Sequence, residues 1–233
     1  MIKAIFFDLD GTLLPLDEDE FIKVYFGLLC KRFCPLGFDK DLLIKAIWQG
    51  TEKMIKNNGS TTNDVVFWDN FKEFFGEEKA KLKYSFDAFY DEEYLQTASC
   101  VKPNPYARQI MDFLHENNIN VVLASRPVFP KNGMINRAKF VGLKQEDFCY
   151  VTSYDVCSFT KPNPNYYAEI LQKLNLKAEE VIMFGNNEEE DGVATEVGIK
   201  TYLINGYLIK GKKQRNLPVI EMQDVISVIK KHL

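Results

Sequence analysis

Histidine is nearly missing from this chain: only His115 and His232 occur among its 233 residues. That count argues against a His-rich metal centre and a Ser-His-Asp triad, and His232, in the C-terminal tail, reads as a helix-end cation. Cysteine is too sparse and scattered for a framework. Cys30, Cys34, Cys100, Cys149 and Cys157 make an odd number with no CxxC pair, so neither disulfides nor a zinc cluster are expected. Cys30 and Cys34, one helical turn apart, read as buried small hydrophobes. No uncharged apolar run approaches the roughly 18 residues needed to span a bilayer. Basic charge is not in excess either: with a net charge of -4 and a pI near 5.4, the chain offers no field that would hold nucleic acid or an anionic membrane. A cytoplasmic protein with no nucleic-acid or membrane partner is expected; the oligomeric state stays open. What is present is a 46% hydrophobic content, enough for a full core in one large domain or two modest ones.

After residue 100, short β-branched runs alternate with amphipathic stretches, the pattern of βαβ units around a mostly parallel sheet. The runs predict strands at 2–8, 119–124, 148–152, 181–184 and 200–204, with helices at 104–117, 132–142, 164–174, 188–198 and 222–232. Residues 16–98 differ. Aromatics and aliphatics recur there at three- and four-residue spacing (Phe21, Val24, Tyr25, Leu28; Phe67, Phe71, Phe74), which predicts an all-helical insert broken near Pro35–Gly37, Asn57–Ser60 and Gly76. Its aromatic load reads as bundle core rather than binding surface. Placed directly after the first strand, the insert would sit above that strand's mouth and could act as a lid.

Residues 6–13, Phe-Phe-Asp-Leu-Asp-Gly-Thr-Leu, end the first apolar run in two acids, Asp8 and Asp10, followed by a turn at Gly11-Thr12. Carboxylates this close repel each other unless a cation intervenes, and the carboxyl ends of strands are where open α/β sheets bind ligands. The pair reads as a metal-assisted nucleophilic site; alone, it would read as an Asp-Gly turn. Further signals fall at later strand ends. Ser125 closes Val-Val-Leu-Ala-Ser, with Arg126 beside it as a possible second anion contact or a solvent-facing residue. Lys161 opens Lys-Pro-Asn-Pro, a tetrapeptide that also occurs at 102–105 and by itself encodes a helix start. Lys161 is preferred over Lys102 because it follows a core strand. The acid run Glu188–Asp191 follows Gly185 and Asn186; Glu188 and Glu189 read as carboxylates complementing a helix dipole, leaving Asn186 and Asp191 for chemistry. Lys210, Lys212, Lys213 and Arg215 read as an exposed loop.

Together these motifs resemble the haloacid dehalogenase superfamily, in its phosphatase branch with a helical cap. Asp8-Leu-Asp-Gly-Thr corresponds to the first motif, Ser125 to the second, Lys161 to the third, and Gly185-Asn186 with Asp191 to the acidic fourth. The resemblance implies a Rossmann-like core of 1–15 and 99–233, a cap at 16–98, and Mg²⁺-dependent hydrolysis of a small phosphorylated metabolite. By the same resemblance Asp8 is the nucleophile and Asp10 the acid and base. Lys161 is the neutralising cation, Thr12 and Ser125 hold the phosphate with N–H groups near Leu9–Thr12, and Asp8, Asp10, Asn186 and Asp191 hold the metal, Glu190 being a weaker candidate. Asn186 departs from the family's pattern, which has a carboxylate there. A neutral oxygen still suits a hard cation, so weaker metal affinity is expected. A sugar phosphomutase and a phosphate-binding pseudoenzyme are the alternatives.

Overall fold

The computed structural model describes residues 1–213 and 215–233. Its centre is a six-stranded, all-parallel sheet of order β3-β2-β1-β4-β5-β6. The strands are β1 (Ala4–Phe7), β2 (Asn120–Leu123), β3 (Tyr150–Val151), β4 (Val181–Gly185), β5 (Lys200–Ile204) and β6 (Val219–Ile220). β1 and β4 are buried along their whole lengths. This is why both appear as unbroken apolar runs rather than alternating ones. One face, with Ile5, Phe7, Leu123 and Phe184, packs on α5 (Ala107–Glu116) and α8 (Val225–Lys230). The other, with Phe6, Val122 and Met183, packs on α7 (Pro164–Leu174).

β6 has no counterpart among the strands expected from sequence, because two half-exposed or exposed residues leave no apolar run to read. The helix expected at 188–198 is instead a 3₁₀ segment, Gly192–Val197; the chain before it is a turn held by the Asn187 and Asp191 side chains together with the Asp191 N–H bond to the Asn187 carbonyl at 2.7 Å. The C-terminal helix begins as a 3₁₀ turn, Met222–Asp224, before α8.

Between β1 and β2 lie α1 (Glu18–Phe33), α2 (Lys40–Ile55), α3 (Asn63–Ala80), α4 (Lys83–Asp91) and a 3₁₀ segment, Glu93–Cys100. Asp17 caps α1 by accepting from the Glu20 N–H at 3.0 Å, and acids fill the first turn while Lys31 and Arg32 close the last. The anticipated breaks occur at Gly37, with φ of 84°, and at Gly76, which kinks α3 at φ 73° and ψ 171°. The helices pack through aromatic rings, with Phe86 in contact with Phe33, Phe71 and Trp68. Cys30 and Cys34 are half-buried rather than buried, and all five cysteines are free. No helix is long and apolar enough to cross a membrane among the described residues.

Candidate active site

The register of the sheet assembles the site. Phe7 pairs with Leu123 on one side and Phe184 on the other, so Asp8, Ser125 and Asn186 leave neighbouring strands at one edge. The chain also changes direction there: β1, β2 and β3 run outward one way, and β4 returns to the far side of β1. Such switch points leave a crevice at the carboxyl ends of the strands.

Asp8 is anchored by its own N–H, which donates to the Phe184 carbonyl at 2.9 Å. The buried Lys161 ammonium donates to Asp8 Oδ1 at 2.8 Å and to Asp191 Oδ1 at 2.5 Å. The other Asp191 oxygen accepts from the Asn186 and Asn187 N–H groups, each at 2.9 Å. Asp191 thereby fixes both Lys161 and the turn after β4. This closeness demands glycine before it: a Cβ on Gly185 would lie 2.1 Å from the Asp191 carboxyl carbon. Burial pushes the Asp8 carboxyl up to about 7, Lys161 opposing it and Asp191 and Asp10 adding to it. For Lys161, burial works against the charge, but Asp191 and Asp8 outweigh it and hold the ammonium above its ordinary value.

Asp10 meets a residue that was not anticipated. Arg137, on α6 (Lys131–Lys139), donates from Nη1 to Asp10 Oδ2 at 2.5 Å. It is only 1% exposed and lies over the Phe129 ring at 4.7 Å. Its Nε and the second Asp10 oxygen are both buried without a partner among the described residues. The signal for Arg137 was its place on a helical face shared with Met134, Ala138 and Val141, all buried. A charge on an apolar stripe requires a buried partner.

Thr12 donates to Asn186 Oδ1 at 3.2 Å, and Asn186 Nδ2 donates to the Tyr207 carbonyl at 2.8 Å. The Asn186 amide lies where a Cβ on Gly11 would be, 2.2 Å away, and Gly11 has φ of 74°; both facts exclude a side chain there. Ser125 borders the cavity, and its carbonyl is fixed by the Thr152 and Tyr166 hydroxyls at 2.8 Å each. Arg126 also borders it, paired with Glu190. The Gly11 and Thr12 N–H groups are occupied by the Leu14 and Leu9 carbonyls at 2.8 and 3.1 Å. The anion donors expected over Leu9–Thr12 thus reduce to the N–H groups of Leu9 and Asp10.

Several charged side chains near the site have other partners than those expected from sequence. Glu188 does not serve a helix dipole: it accepts from the Arg215 and Gly211 N–H groups at 2.6 and 3.2 Å and ties down the loop after β5. Arg215 is not a free surface charge, since it bonds Glu196 at 2.6 Å; Lys210, Lys212 and Lys213 are exposed. Lys102 is exposed as well, its ammonium 5.9 Å from the centre of the Tyr207 ring. His232 bonds the Tyr202 hydroxyl at 2.8 Å, and burial with Lys200 and Lys231 nearby lowers its basicity, which works against the helix-end cation expected there.

A cavity of about 170 Å³ joins this acidic edge to the helical segment. Phe33 and Phe71 are core only, Phe21 and Trp68 belong to the core and also line the cavity, and the half-exposed Trp48 lines it from outside the core.

The model of the haloacid dehalogenase-like hydrolases matches residues 2–196, and the chain belongs to that family of enzymes. It is 22% identical over 236 residues to a phosphorylated carbohydrates phosphatase of Thermotoga maritima, and 26% identical over 239 residues to a glyceraldehyde 3-phosphate phosphatase of Methanothermobacter thermautotrophicus, covering 100% of both chains in each case. A 2-haloacid dehalogenase of Pseudomonas syringae has the same fold, with a TM-score of 0.65 and 17% identity over 100% of both chains.

Proposed function

We propose that this hydrolase is a Mg²⁺-dependent phosphatase of small phosphomonoesters that works through an aspartyl phosphate on Asp8. The observation that carries this reading is the Lys161–Asp8 contact of 2.8 Å at the end of β1, with Asp10 and Ser125 bordering the same cavity. The two relatives named phosphatases support it. Asp10 favours phosphate over halide, because a leaving phosphate ester oxygen needs a proton and a halide does not.

The donor set suits a hard dication. Among the described residues, the three carboxylates Asp8, Asp10 and Asp191 are ion-paired with two cations, Lys161 and Arg137, and Asp10 Oδ1 is buried without a partner. Among the described residues no cluster of three or more His, Cys, Asp or Glu side chains forms a cage. Mg²⁺ is commonly held by one or two carboxylates, water and substrate phosphate. Asp8 and Asp10 would hold it directly with the neutral Asn186 oxygen beside them, and Asp191, whose oxygens are engaged, would contribute its charge. When bound, the cation neutralises charge on the phosphoryl oxygens and aligns the displacement.

Asp8 uses its oxygen not bonded to Lys161 to attack phosphorus. The bond from phosphorus to the alcohol oxygen breaks as Asp10 gives that oxygen a proton. Asp10 then takes a proton from water, which attacks the aspartyl phosphate and releases phosphate. Lys161, the Ser125 hydroxyl and the Leu9 and Asp10 N–H groups stabilise the phosphoryl oxygens. Residues 16–98 act as a cap over the core of 1–15 and 99–233 and exclude bulk water.

The test is inorganic phosphate release from a panel of phosphomonoesters with Mg²⁺ or EDTA. Release that requires Mg²⁺ is expected. A phosphorylated product without free phosphate would mark a mutase, and binding without turnover would mark a pseudoenzyme.

A further inference from the structure

The cavity has two chemically distinct ends. Its charged lining (Asp8, Asp10, Arg126, Arg137, Glu190) gathers at the edge of the sheet, and Glu18, the one acid from the helical segment in the lining, lies within the field of Asp10, Arg126 and Arg137. The far end is walled by Phe26, Trp48, Phe67, Trp68 and Phe86. Polar atoms among these walls are already paired with one another. The Tyr25 and Tyr90 hydroxyls bond each other at 3.1 Å, Thr51 Oγ1 donates to the Ile47 carbonyl at 2.9 Å, and Trp68 Nε1 donates to the Tyr154 hydroxyl at 3.4 Å. Trp48, 47% exposed, stands against Phe26 with ring centroids 5.6 Å apart and carries the aromatic wall out to solvent.

A polyhydroxylated leaving group would surrender water to a wall of rings and meet only the few hydroxyls already engaged there, a costly exchange for most of its own hydroxyls. An apolar ring would lose nothing and would gain edge and face contacts with the walls. A void lined by aromatic rings also weakens the fold, which is understandable if a ligand fills it. Resting on the phosphatase reading, we propose that the substrate is the phosphate monoester of a ring-bearing apolar alcohol, and that the aromatic end of the cavity selects it against sugar phosphates.

The experiment compares kcat/KM for benzyl phosphate and glucose 6-phosphate, two esters of similarly weakly acidic alcohols, so leaving-group reactivity cancels. Acetyl phosphate, which presents almost no leaving-group body, reports on the core alone. Benzyl phosphate is expected to exceed glucose 6-phosphate at least tenfold, and Trp48→Ala, at a partly exposed position, should cut that ratio severalfold. Acetyl phosphate turnover with glucose 6-phosphate equal to or better than benzyl phosphate overturns the proposal and leaves the phosphatase reading standing. No turnover of any of them removes both. Independently of turnover, benzylphosphonate should perturb the fluorescence of Trp48 and Trp68 at concentrations where methylphosphonate does not; equal responses to the two would count against the proposal.

Discussion

Arg137 Nη1 lies 2.5 Å from Asp10 Oδ2 inside a cage of Phe21, Phe129 and Met134. A guanidinium this buried has exchanged water for one carboxylate and two ring faces, and the carboxylate it holds is the proposed acid and base. Removing one partner of a buried pair leaves the other charge uncompensated, at a cost of about 3–5 kcal/mol. Arg137→Ala is therefore expected to lower stability by about 3 kcal/mol and kcat by roughly 10- to 100-fold through misplacement of Asp10. Arg137→Lys should lie between, because a lysine keeps the charge and loses the fork. Chemical denaturation and kcat, measured in parallel, check both.

Asp8 gives a pH-dependent signature. Its carboxyl titrates near 7 in the fold without metal, from an ordinary value of 3.8. The folded state thus binds the proton more tightly than the unfolded state, so this group withdraws stability as pH rises from about 4 to about 7. Asp8→Asn removes that charge. In EDTA the variant should unfold at a higher temperature than wild type at pH 8, and the gap should close toward pH 4. The linkage ceiling is about 4 kcal/mol, less whatever the Lys161 contact loses. An equal gap at both pH values would contradict the assignment.

Lys161 serves Asp8 and is itself held by Asp191. Lys161→Met should reduce kcat by roughly 10²- to 10³-fold, the usual cost of losing one preorganised electrostatic contact. Asp191→Asn should reduce it less while destabilising the turn at Asn186 and Asn187. A rise in KM alone, with kcat intact, would show that these residues act in ground-state binding.

Gly185→Ala tests packing rather than chemistry. The added Cβ would overlap the Asp191 carboxyl at 2.1 Å, and overpacking of this kind costs about 1–3 kcal/mol. The variant should also lose activity, since Asp191 cannot shift without taking Lys161 along. Thermal unfolding and phosphate release report the two effects.

Asn186→Asp restores a negative charge beside Asp8 and Asp10. The Mg²⁺ concentration for half-maximal phosphate release should fall about tenfold, on the order of 1.4 kcal/mol, against the loss of the amide's bond to the Tyr207 carbonyl. An unchanged midpoint would indicate that Asn186 does not face the metal.

Much of this site was legible because parallel strands end together. Once β1, β2 and β4 were recognisable as apolar runs, the polar residues just after them, Asp8, Ser125 and Asn186, had to share an edge. Asp191 and Lys161 could be chosen by position alone, but their mutual contact could not: it depends on how the turn after β4 folds back, which no periodicity encodes. Arg137 went unread because it follows Ser125 at a distance and reads as one more charge on a helix. The aromatic walls were invisible for a different reason. Phe21, which faces the cavity, and Phe33, which does not, are both core residues of the same helical pattern, and only three-dimensional packing separates lining from filling.

The most direct test of the central claim is a single-turnover reaction with ³²P-labelled acetyl phosphate, quenched in acid. Label on the protein that hydroxylamine removes, that maps to the peptide containing Asp8, and that is lost in Asp8→Asn is the predicted result. Phosphate release with no label at Asp8, or undiminished turnover by Asp8→Asn, would contradict it.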